Sequence, residues 1–380
     1  GDGNNTLTFN SGAGSVGSVT TGTGTDSVTI SGGSISSALA LGTGADSLSY
    51  AGYASGVSAT LSGTNALSTT STAIGGGVSG VENITLSSNN DTFTVANAGT
   101  LSGNLDLGSG SDTLSYSGYS SAVTVSLNSA TSTAAGGATG ISGTTVGFES
   151  LIGGSGSDSL NANAGVNSLN VASNGTTTLD TSLTVSGFET INLGANSDAS
   201  NDTTTISGAF SGTIDLGAGN DNATINNGGS ATSLVGGAGT DTLNLDGAAN
   251  SITVTGSGAG TTAGTTGGST TFSGFETVNG QAGTDSFTLN NASTSTISLD
   301  GGADTDSLSV AGSDSGANSL TISGTGSGSL GNVSFSAMES ITLGSGGDTA
   351  TINSGGSLSG NLDLGGGNNT LTFNSGAGAI

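Results

Sequence analysis

Apolar and polar residues alternate along this chain in short runs. Examples are VTI at 28–30, FTV at 93–95, LSY at 114–116, LNL at 243–245 and LTF at 371–373. Alternation with period two, rich in β-branched residues, predicts strands that bury one face. Windows with helical apolar spacing all contain several poor helix formers such as Gly, Ser, Thr and Asn, so we expect no α-helix. The predicted fold class is all-β.

A short glycine-rich turn ending in Asp precedes many of these strands. It reads GTGTDSVTI at 22–30, GTGADSLSY at 42–50, GSGSDTLSY at 108–116, GAGNDNATI at 217–225 and GSGGDTATI at 344–352. The turn Asp residues are separated by about 20 or by about 42–46 residues, as expected for one or two structural repeats. Gly, Asn and Asp tolerate the backbone conformations of tight corners. We therefore predict a parallel β-helix, or β-solenoid, with coils of about 20 residues.

The repeats run through the whole chain without a charged or Pro-rich linker. We therefore predict one continuous β-solenoid over residues 1–380, in which the intervals 51–81, 117–147, 246–274 and 311–337 are additional coils with surface loops on one side. Residues 1–16 and 365–380 agree at thirteen of sixteen positions. This agreement leads us to expect a segment of a longer repeat array.

A second motif places a Glu nine residues before several of the turn Asp residues. It occurs in GVENITL, GFESLIG, GFETINL, GFETVNG and AMESITL, at Glu82, Glu149, Glu189, Glu276 and Glu339. After Glu189 the ninth residue is Asp198, which leaves Asp198 and Asp202 as alternatives for the turn position. We favour a structural role at the start of a strand over metal binding for these Glu residues.

The composition argues against catalysis and against nucleic-acid binding. The chain has no Lys, Arg, His, Cys, Pro or Trp, 26 acidic residues and a net charge of −26. Acid–base and nucleophilic catalysis usually need the missing side chains, so we predict that the chain is not an enzyme. Paired carboxylates alone can cleave glycosidic bonds, but here the acids recur with the repeat instead of converging on one cleft. A polyanion also repels nucleic acid.

Two further classes are less compatible with the sequence. No run of eighteen apolar residues is present, so no membrane span is expected. A disordered linker would suit the Gly and Ser content, yet the alternating apolar runs argue for strands. A chain without Lys or Arg offers trypsin-like proteases no cleavage site, which suits a secreted protein at the cell surface.

Two copies of the turn, GGSGSDSLN at 153–161 and GGAGTDTLN at 236–244, fit the nonapeptide G-G-x-G-x-D-x-U-x at every defined position. The chain therefore resembles the repeats-in-toxin (RTX), haemolysin-type calcium-binding repeats of giant secreted bacterial surface proteins. The resemblance implies calcium ligation by the turn Asp residues, which are Asp26, Asp46, Asp112, Asp158, Asp221, Asp241, Asp285 and Asp306. Typical family members have two Gly-Asp corners per coil and this chain has one. Calcium along one edge only, or no ordered calcium, are thus both open.

The charge of stacked turns also argues for a cation. Two carboxylates about 4.8 Å apart repel by roughly 3 kcal/mol at an effective dielectric constant near 20, and the chain has no Lys or Arg to offset this. Oxygen ligands favour calcium over transition metals. The upstream residues Asp106, Asp215, Asp300 and Asp363 would add ligands or add repulsion. Alternatively, the acids simply hydrate the surface and keep rods apart.

These observations favour a non-catalytic structural protein that forms a rod, filament or extracellular surface fibre. We expect self-association, end to end or side by side, and contact with surface glycans is a further option. The alternatives are a calcium-dependent adhesin and an ice-binding solenoid segment. Against ice binding, the Thr of GTGTD changes to Ser or Ala in most later copies, so the stacked turns would not present a regular row of Thr.

Overall fold

The structure, a computed structural model, describes residues 1–69, 73–128, 134–194, 199–264, 267–292 and 294–380. None of these residues lies in a helix, and strands recur throughout, which confirms the all-β prediction. The chain divides into two compact units. Unit 1 comprises Gly1–Ala164 with Thr176–Asn196, and unit 2 comprises Gly165–Gly175 with Ser197–Ile380. One continuous solenoid over residues 1–380 stays a prediction.

The strands are short and follow one another closely. Up to residue 192 they are β1 Thr6–Phe9, β2 Ser15–Val16, β3 Val19–Thr23, β4 Ser27–Ile30, β5 Ser34–Ile35, β6 Leu39–Thr43, β7 Ser47–Ser49, β8 Ser58–Gly63, β9 Ala66–Thr69, β10 Val78–Ser79, β11 Asn83–Thr85, β12 Thr92–Val95, β13 Leu105–Asp106, β14 Thr113–Ser115, β15 Thr124–Leu127, β16 Ala134–Ala138, β17 Thr145–Val146, β18 Ser150–Ile152, β19 Ser159–Asn161, β20 Ser168–Val171, β21 Thr177–Leu179, β22 Leu183–Ser186 and β23 Thr190–Asn192. Beyond it they are β24 Thr203–Ile206, β25 Ala209–Gly219, β26 Asn222–Ile225, β27 Ser230–Gly239, β28 Thr242–Asn244, β29 Asn250–Gly256, β30 Ala259–Gly264, β31 Ser269–Ser273, β32 Thr277–Asn279, β33 Ser286–Leu289, β34 Ile297–Asp300, β35 Ser307–Val310, β36 Ser319–Gly324, β37 Ser327–Leu330, β38 Val333–Ser336, β39 Ser340–Thr342, β40 Thr349–Ile352, β41 Leu362–Asp363 and β42 Thr370–Phe373.

Unit 1 contains two long sheets in which most neighbouring strands are parallel. In sheet I the parallel pairs join β1, β4, β7, β11, β13 and β17, and separately β15, β19 and β23. In sheet II they join β3, β6 and β10, and separately β8, β12, β14, β18 and β22. Strands β2 and β5 form a small parallel pair of their own.

Unit 2 is built in the same way. Sheet III joins β25, β27 and β31, and separately β29, β33, β35, β39 and β41. Sheet IV joins β20, β24, β26, β28, β32, β34 and β38, and separately β36, β40 and β42. In both units, parallel partners are about one or two repeats apart in sequence, as the periodicity predicts.

In each of the four sheets, one antiparallel strand joins the two parallel series. These strands are β16 in sheet I, β9 in sheet II, β30 in sheet III and β37 in sheet IV. Each pairs antiparallel with the strand before it and the strand after it. They lie in the intervals 51–81, 117–147, 246–274 and 311–337, so these intervals contribute strands to the sheets in addition to their turns. In unit 1, β21 and β22 form a further antiparallel pair.

The core of each unit consists of columns of apolar side chains at alternate strand positions. In sheet III, Ile252, Phe287, Leu308 and Ile341 occupy one register column, and all four are at most 1% exposed. The flanking positions of the same strands, such as Ser286 and Ser307, are partly exposed. The period-two alternation read from the sequence is therefore the alternation of buried and outward side chains.

Candidate cation site: the aspartate ladders

The turn carboxylates of successive repeats are linked to one another by hydrogen bonds to the backbone. The backbone N–H of Asp26 donates to Oδ1 of Asp46, which lies one repeat further along sheet I, at 2.7 Å. The N–H of Asp46 in turn donates to Oε2 of Glu82 at 2.8 Å. We call such a series an aspartate ladder. Hydrogen bonds that have an ionised acceptor are stronger than neutral ones, so each ladder ties neighbouring repeats together.

Six ladders occur among the described residues, and their N–H to side-chain oxygen distances all lie between 2.5 and 2.9 Å. In chain order their members are Asn5, Asp26, Asp46 and Glu82; Val57, Asp91, Asp112 and Glu149; Val123, Asp158 and Glu189; Asn167, Asp202, Asp221, Asp241 and Glu276; Asn250, Asp285, Asp306 and Glu339; and Asn318, Asp348 and Asn369. Each ladder lies within one unit.

Glu residues end five of the ladders. The apolar residue immediately before each Glu is buried, from Val81 at 0% exposure to Phe188 at 4%. Because the buried residue anchors the turn, the Glu side chain reaches back to the N–H of the last Asp. Both Glu82 N–H and Asn83 N–H also donate to the carbonyl of Asp46. The expected structural role of the Glu motif thus has a specific form, which is the closure of a ladder.

Asn residues begin four of the ladders. The side-chain amides of Asn5, Asn250 and Asn318 donate both to carbonyl oxygens of their own turns and to Oδ1 of the first Asp, at 2.9–3.2 Å for the latter. At the start of a ladder no earlier N–H needs an acceptor, so the Asn side chain can donate to the first Asp. Five of the six ladders end in Glu, whereas the sixth ends in Asn369, whose Oδ1 accepts the N–H of Asp348.

All eight Asp residues nominated as calcium ligands belong to ladders and are at most 2% exposed. A single column of these Asp residues along one edge would fit the arrangement that the sequence left open. The structure does not show such a column. In unit 1, Asp26 and Asp46 precede strands of sheet I, Asp112 precedes a strand of sheet II, and Asp158 precedes sheet I again. The same alternation occurs in unit 2, where Asp221 and Asp241 belong to sheet IV and Asp285 and Asp306 to sheet III.

The expected repulsion between stacked carboxylates is moderated by the geometry. In every ladder Asp, one carboxylate oxygen accepts a backbone N–H of the preceding repeat. This N–H dipole stabilises the carboxylate although the chain has no Lys or Arg. A cation is thus not needed to satisfy the first oxygen. What remains is the second carboxylate oxygen, Oδ2.

The ladder Asp residues differ in the environment of the second oxygen. Oδ2 of Asp91 accepts from the backbone N–H of Ser87 at 2.7 Å, and Oδ2 of Asp158 accepts from that of Gly154 at 2.5 Å. In six other ladder Asp residues Oδ2 is buried and accepts no hydrogen bond from any described residue; these are Asp46, Asp112, Asp241, Asp285, Asp306 and Asp348. These buried oxygens are the atoms that a bound cation would satisfy.

Four of the Asp residues whose Oδ2 accepts no hydrogen bond from any described residue have a raised pKa. Burial raises the pKa of Asp112 and Asp285 to about 6, against the opposing effect of backbone hydrogen bonds from Asp91 and Asn250. Burial also raises the pKa of Asp241 and Asp306, and the carboxylate of the neighbouring Glu adds to the rise in both.

Asp26 behaves in the opposite way. A side-chain hydrogen bond with Thr21 contributes most to lowering the pKa of Asp26, and the backbone and side chain of Asn5 add to this against the effect of burial. The ladder Asp residues are therefore not electrostatically equivalent.

The upstream Asp residues do not join the ladders. Asp106 and Asp363 accept the N–H of the residue two positions later at 2.9 Å, and Asp215 makes the same bond to Gly217. This is the usual Asx-turn role of Asp, and it prepares the chain to turn. Asp300 instead accepts from the hydroxyl of Ser336 at 3.0 Å.

No three acidic side chains among the described residues lie together in a way that could hold a metal ion. A cation at a ladder would therefore combine one Asp Oδ2 with backbone carbonyl oxygens of the glycine-rich turns. Such oxygen donors suit calcium. The hydrogen bonds of a ladder could not be predicted from the sequence. The Glu motif, which marks the last repeat of five ladders, was the sequence signal that could have indicated them. Of the two alternatives after Glu189, Asp202 occupies the ladder, and Asp198 lies outside the described residues.

Glu276 provides a test of ladder closure. Its Oε2 accepts the N–H of Asp241 at 2.7 Å. Glu276→Ala should lower the free energy of unfolding by about 1–2 kcal/mol, because this N–H loses its acceptor. Glu276→Gln keeps an acceptor oxygen and should cost less. Urea denaturation followed by circular dichroism measures both, and equal losses in the two variants would contradict the assignment.

A scan against models of known protein families finds no match to this chain, and a comparison with curated proteins finds none either. Among the described residues, no helix is long and apolar enough to cross a membrane.

Proposed function

We propose that this chain is a non-catalytic structural protein, a parallel β-helix whose stacked coils form a rod within an extracellular filament, fibre or surface layer. The ladders carry this proposal. The ladder Asp residues, whose carboxylates recur in the Gly-rich turns, are buried and accept the hydrogen bonds that link one repeat to the next. A carboxylate enclosed in this way cannot reach a substrate, whereas it can strengthen a stack.

The RTX-like turns and the composition support the location outside the cell. A chain without Lys or Arg resists trypsin-like proteases, and its charge of −26 keeps neighbouring rods hydrated and apart. Side-by-side association would then depend on divalent cations that bridge acidic surfaces. Adhesion to surface glycans through the Ser- and Thr-rich outward positions is compatible with the same architecture.

Electron cryomicroscopy of the purified chain, with calcium and with chelator, tests the structural proposal. Rods whose cross-section repeats at the strand spacing of about 4.8 Å along their length would support it. Compact particles without such a repeat, under both conditions, would contradict it.

Calcium should stabilise the chain at pH 8, where the buried Oδ2 atoms are charged. A ligand that binds only the folded state adds about 2.7 kcal/mol at a concentration 100-fold above its Kd. We therefore expect the midpoint of thermal unfolding to rise in calcium chloride relative to EDTA, and to rise less in magnesium chloride, because magnesium sheds its water reluctantly. Equal midpoints in calcium and EDTA would exclude a stabilising role for calcium.

A second candidate, ice binding, is favoured by one surface feature. The outward positions of sheet IV form two polar rows, Thr203, Asn222, Thr242 and Thr277, and Thr205, Thr224, Asn244 and Asn279. The Asn amides are linked, with Asn279 donating to Asn244 at 2.8 Å and Asn244 to Asn222 at 3.0 Å. Regular rows of Thr and Asn could order water. A measurement of thermal hysteresis tests ice binding. If the purified chain shows no thermal hysteresis, this candidate is excluded.

A further inference from the structure

A polar groove crosses the ends of β26, β28 and β32, three neighbouring parallel strands of sheet IV. Its volume is about 510 Å³. Ligand sites in proteins usually have volumes of roughly 300–1,000 Å³. All residues that line the groove belong to unit 2. We call it the sheet IV groove, and it is large enough for a small organic ligand.

Three polar side chains, those of Asn226, Asp246 and Gln281, line the sheet IV groove. Each lies two residues after an outward-facing residue of its strand, and those three outward residues are paired in register. At a strand spacing of about 4.8 Å the three positions span roughly 10 Å. Leu245 and Ala282 also line the groove. A ligand there would thus meet a row of polar groups with apolar contacts beside them.

Hydrogen bonds hold the two amide side chains of this row in place. Oδ1 of Asn244 accepts from Nε2 of Gln281 at 3.1 Å and from Nδ2 of Asn279 at 2.8 Å. Nδ2 of Asn226 donates to Oγ of Ser207 at 2.9 Å. Because these bonds already restrict both amides, a ligand would lose little side-chain entropy on binding.

Several polar atoms of the row remain available to a ligand. Oδ1 of Asn226, Oδ2 of Asp246 and Oε1 of Gln281 accept no hydrogen bond from any described residue. The amide nitrogens of Asn226 and Gln281 each carry a second hydrogen beyond the bond named above. The sheet IV groove therefore offers acceptors and donors together, with one negative charge.

Gln281 is an unusual residue for its position in the turn. It is the only Gln of the chain, and its φ is +76°, where residues that have a Cβ are uncommon. Gly occupies the same position, four residues before the turn Asp, at Gly237 with φ +114° and at Gly302 with φ +100°. Strained residues of this kind cluster at functional sites. The turn itself favours Gly, so the Gln side chain points to a role in the groove.

A neutral sugar matches these groups better than other classes of ligand. Sugar hydroxyls both donate and accept hydrogen bonds, so they can satisfy the amides and the carboxylate together. A metal ion would use only the acceptors, and a single carboxylate provides little charge for calcium. An acidic ligand would be repelled by Asp246 and by the chain's net charge of −26.

We propose that the sheet IV groove binds a neutral sugar unit of a surface polysaccharide, with Asn226, Asp246 and Gln281 as its hydrogen-bonding residues. The inference rests on the proposed function, in which the rod lies outside the cell and contacts surface glycans. It adds the site of that contact and the chemical class of the glycan. Binding requires no calcium.

Nuclear magnetic resonance of the full chain in EDTA tests the proposal directly. Because Gln281 is the only Gln, selective nitrogen-15 labelling of glutamine gives a single side-chain amide group to follow. The probes are trisaccharides of glucose, mannose, galactose and N-acetylglucosamine, with trigalacturonate as the acidic counterpart. At least one neutral trisaccharide at millimolar concentration should shift the Gln281 amide signals, and trigalacturonate should not. No shift with any neutral probe, or a shift only when calcium is added, would overturn the proposal.

Gln281→Gly separates binding from stability. Gly is unstrained at positive φ, so the midpoint of thermal unfolding should stay the same or rise. Calorimetric titration with the trisaccharide that shifts the Gln281 signals should show an affinity lowered about tenfold or more, because a hydrogen-bonding group is lost.

Ala337→Gly is the matched control for Gln281→Gly. Ala337 also has a positive φ, +51°, and it does not line the groove. This variant should keep both its midpoint and its affinity for the sugar. If Gln281→Gly binds the sugar as tightly as Ala337→Gly does, the assignment of Gln281 is refuted.

The outcome is independent of the test of the structural proposal. Rods seen by electron cryomicroscopy in a chain that binds no neutral sugar would leave the rod in place and remove only the groove. Sugar binding by compact particles without a strand repeat would do the reverse.

Discussion

Replacing Gly239 with alanine should destabilise unit 2 by about 3 kcal/mol or more. Gly239 has φ +143°, and a Cβ placed on it would lie 1.6 Å from the carbonyl oxygen of Gly219 in the neighbouring repeat. The obstacle is backbone, so no side-chain rotation can relieve it. Overpacking of this kind typically costs 1–3 kcal/mol, and the backbone conformation adds roughly 1–2 kcal/mol for a residue that has a Cβ. Urea denaturation followed by circular dichroism gives the change in free energy.

Gly256 is the matched control for Gly239. It also ends a strand of unit 2, but a Cβ placed on it meets no atom within 4 Å. Gly256→Ala should leave the free energy of unfolding within about 0.5 kcal/mol of the unchanged chain. If Gly239→Ala were equally mild, the close stacking of turns on which the fold description depends would be wrong.

Phe287→Ala should cost about 3–5 kcal/mol, the usual range for removing a large aromatic side chain from a core. Phe287 is fully buried in the column that also contains Ile252 and Leu308. Its neighbours are held by strand pairing on both sides, so they cannot close the cavity by moving along the sheet. Differential scanning calorimetry and urea denaturation both measure the loss.

Ser286→Ala, in the same strand, tests whether the loss comes from the buried face. Ser286 is the adjacent residue and lies on the partly exposed face of sheet III. Its substitution should change the free energy by no more than about 0.5 kcal/mol. Similar losses at both positions would show that the strand, and not its apolar face, is the sensitive element.

Much of the architecture could be predicted from local pattern. The alternation at LNL 243–245 predicted a strand with two inward residues, and Leu243 and Leu245 are buried while Asn244 is partly exposed. The recurrence of Gly-rich turns predicted parallel pairing one repeat away, as between β26 and β28. Such features are accessible because side-chain direction in a strand has period two and each turn depends on its own few residues.

The antiparallel strands were harder to foresee. The interval 246–274 contains β29, β30 and β31, and β30 pairs with both neighbours through short alternating segments rich in Gly and Thr. Such segments have no strong local signature. We predicted an additional coil with surface loops on one side. In the structure β29 and β31 pair parallel with strands of other repeats, and β30 pairs antiparallel with both of them.

The ladders illustrate the limit of the sequence most directly. By itself, the sequence determined that Asp recurs at the end of a Gly-rich turn, that a Glu motif precedes several of these turns by nine residues and that no cationic side chain accompanies either. Only the tertiary structure decided which N–H each carboxylate accepts, which sheet each ladder belongs to and which Oδ2 atoms remain buried without a donor. The physical reason is that hydrogen bonds between repeats join residues 19–37 positions apart, so their geometry depends on stacking and not on local sequence.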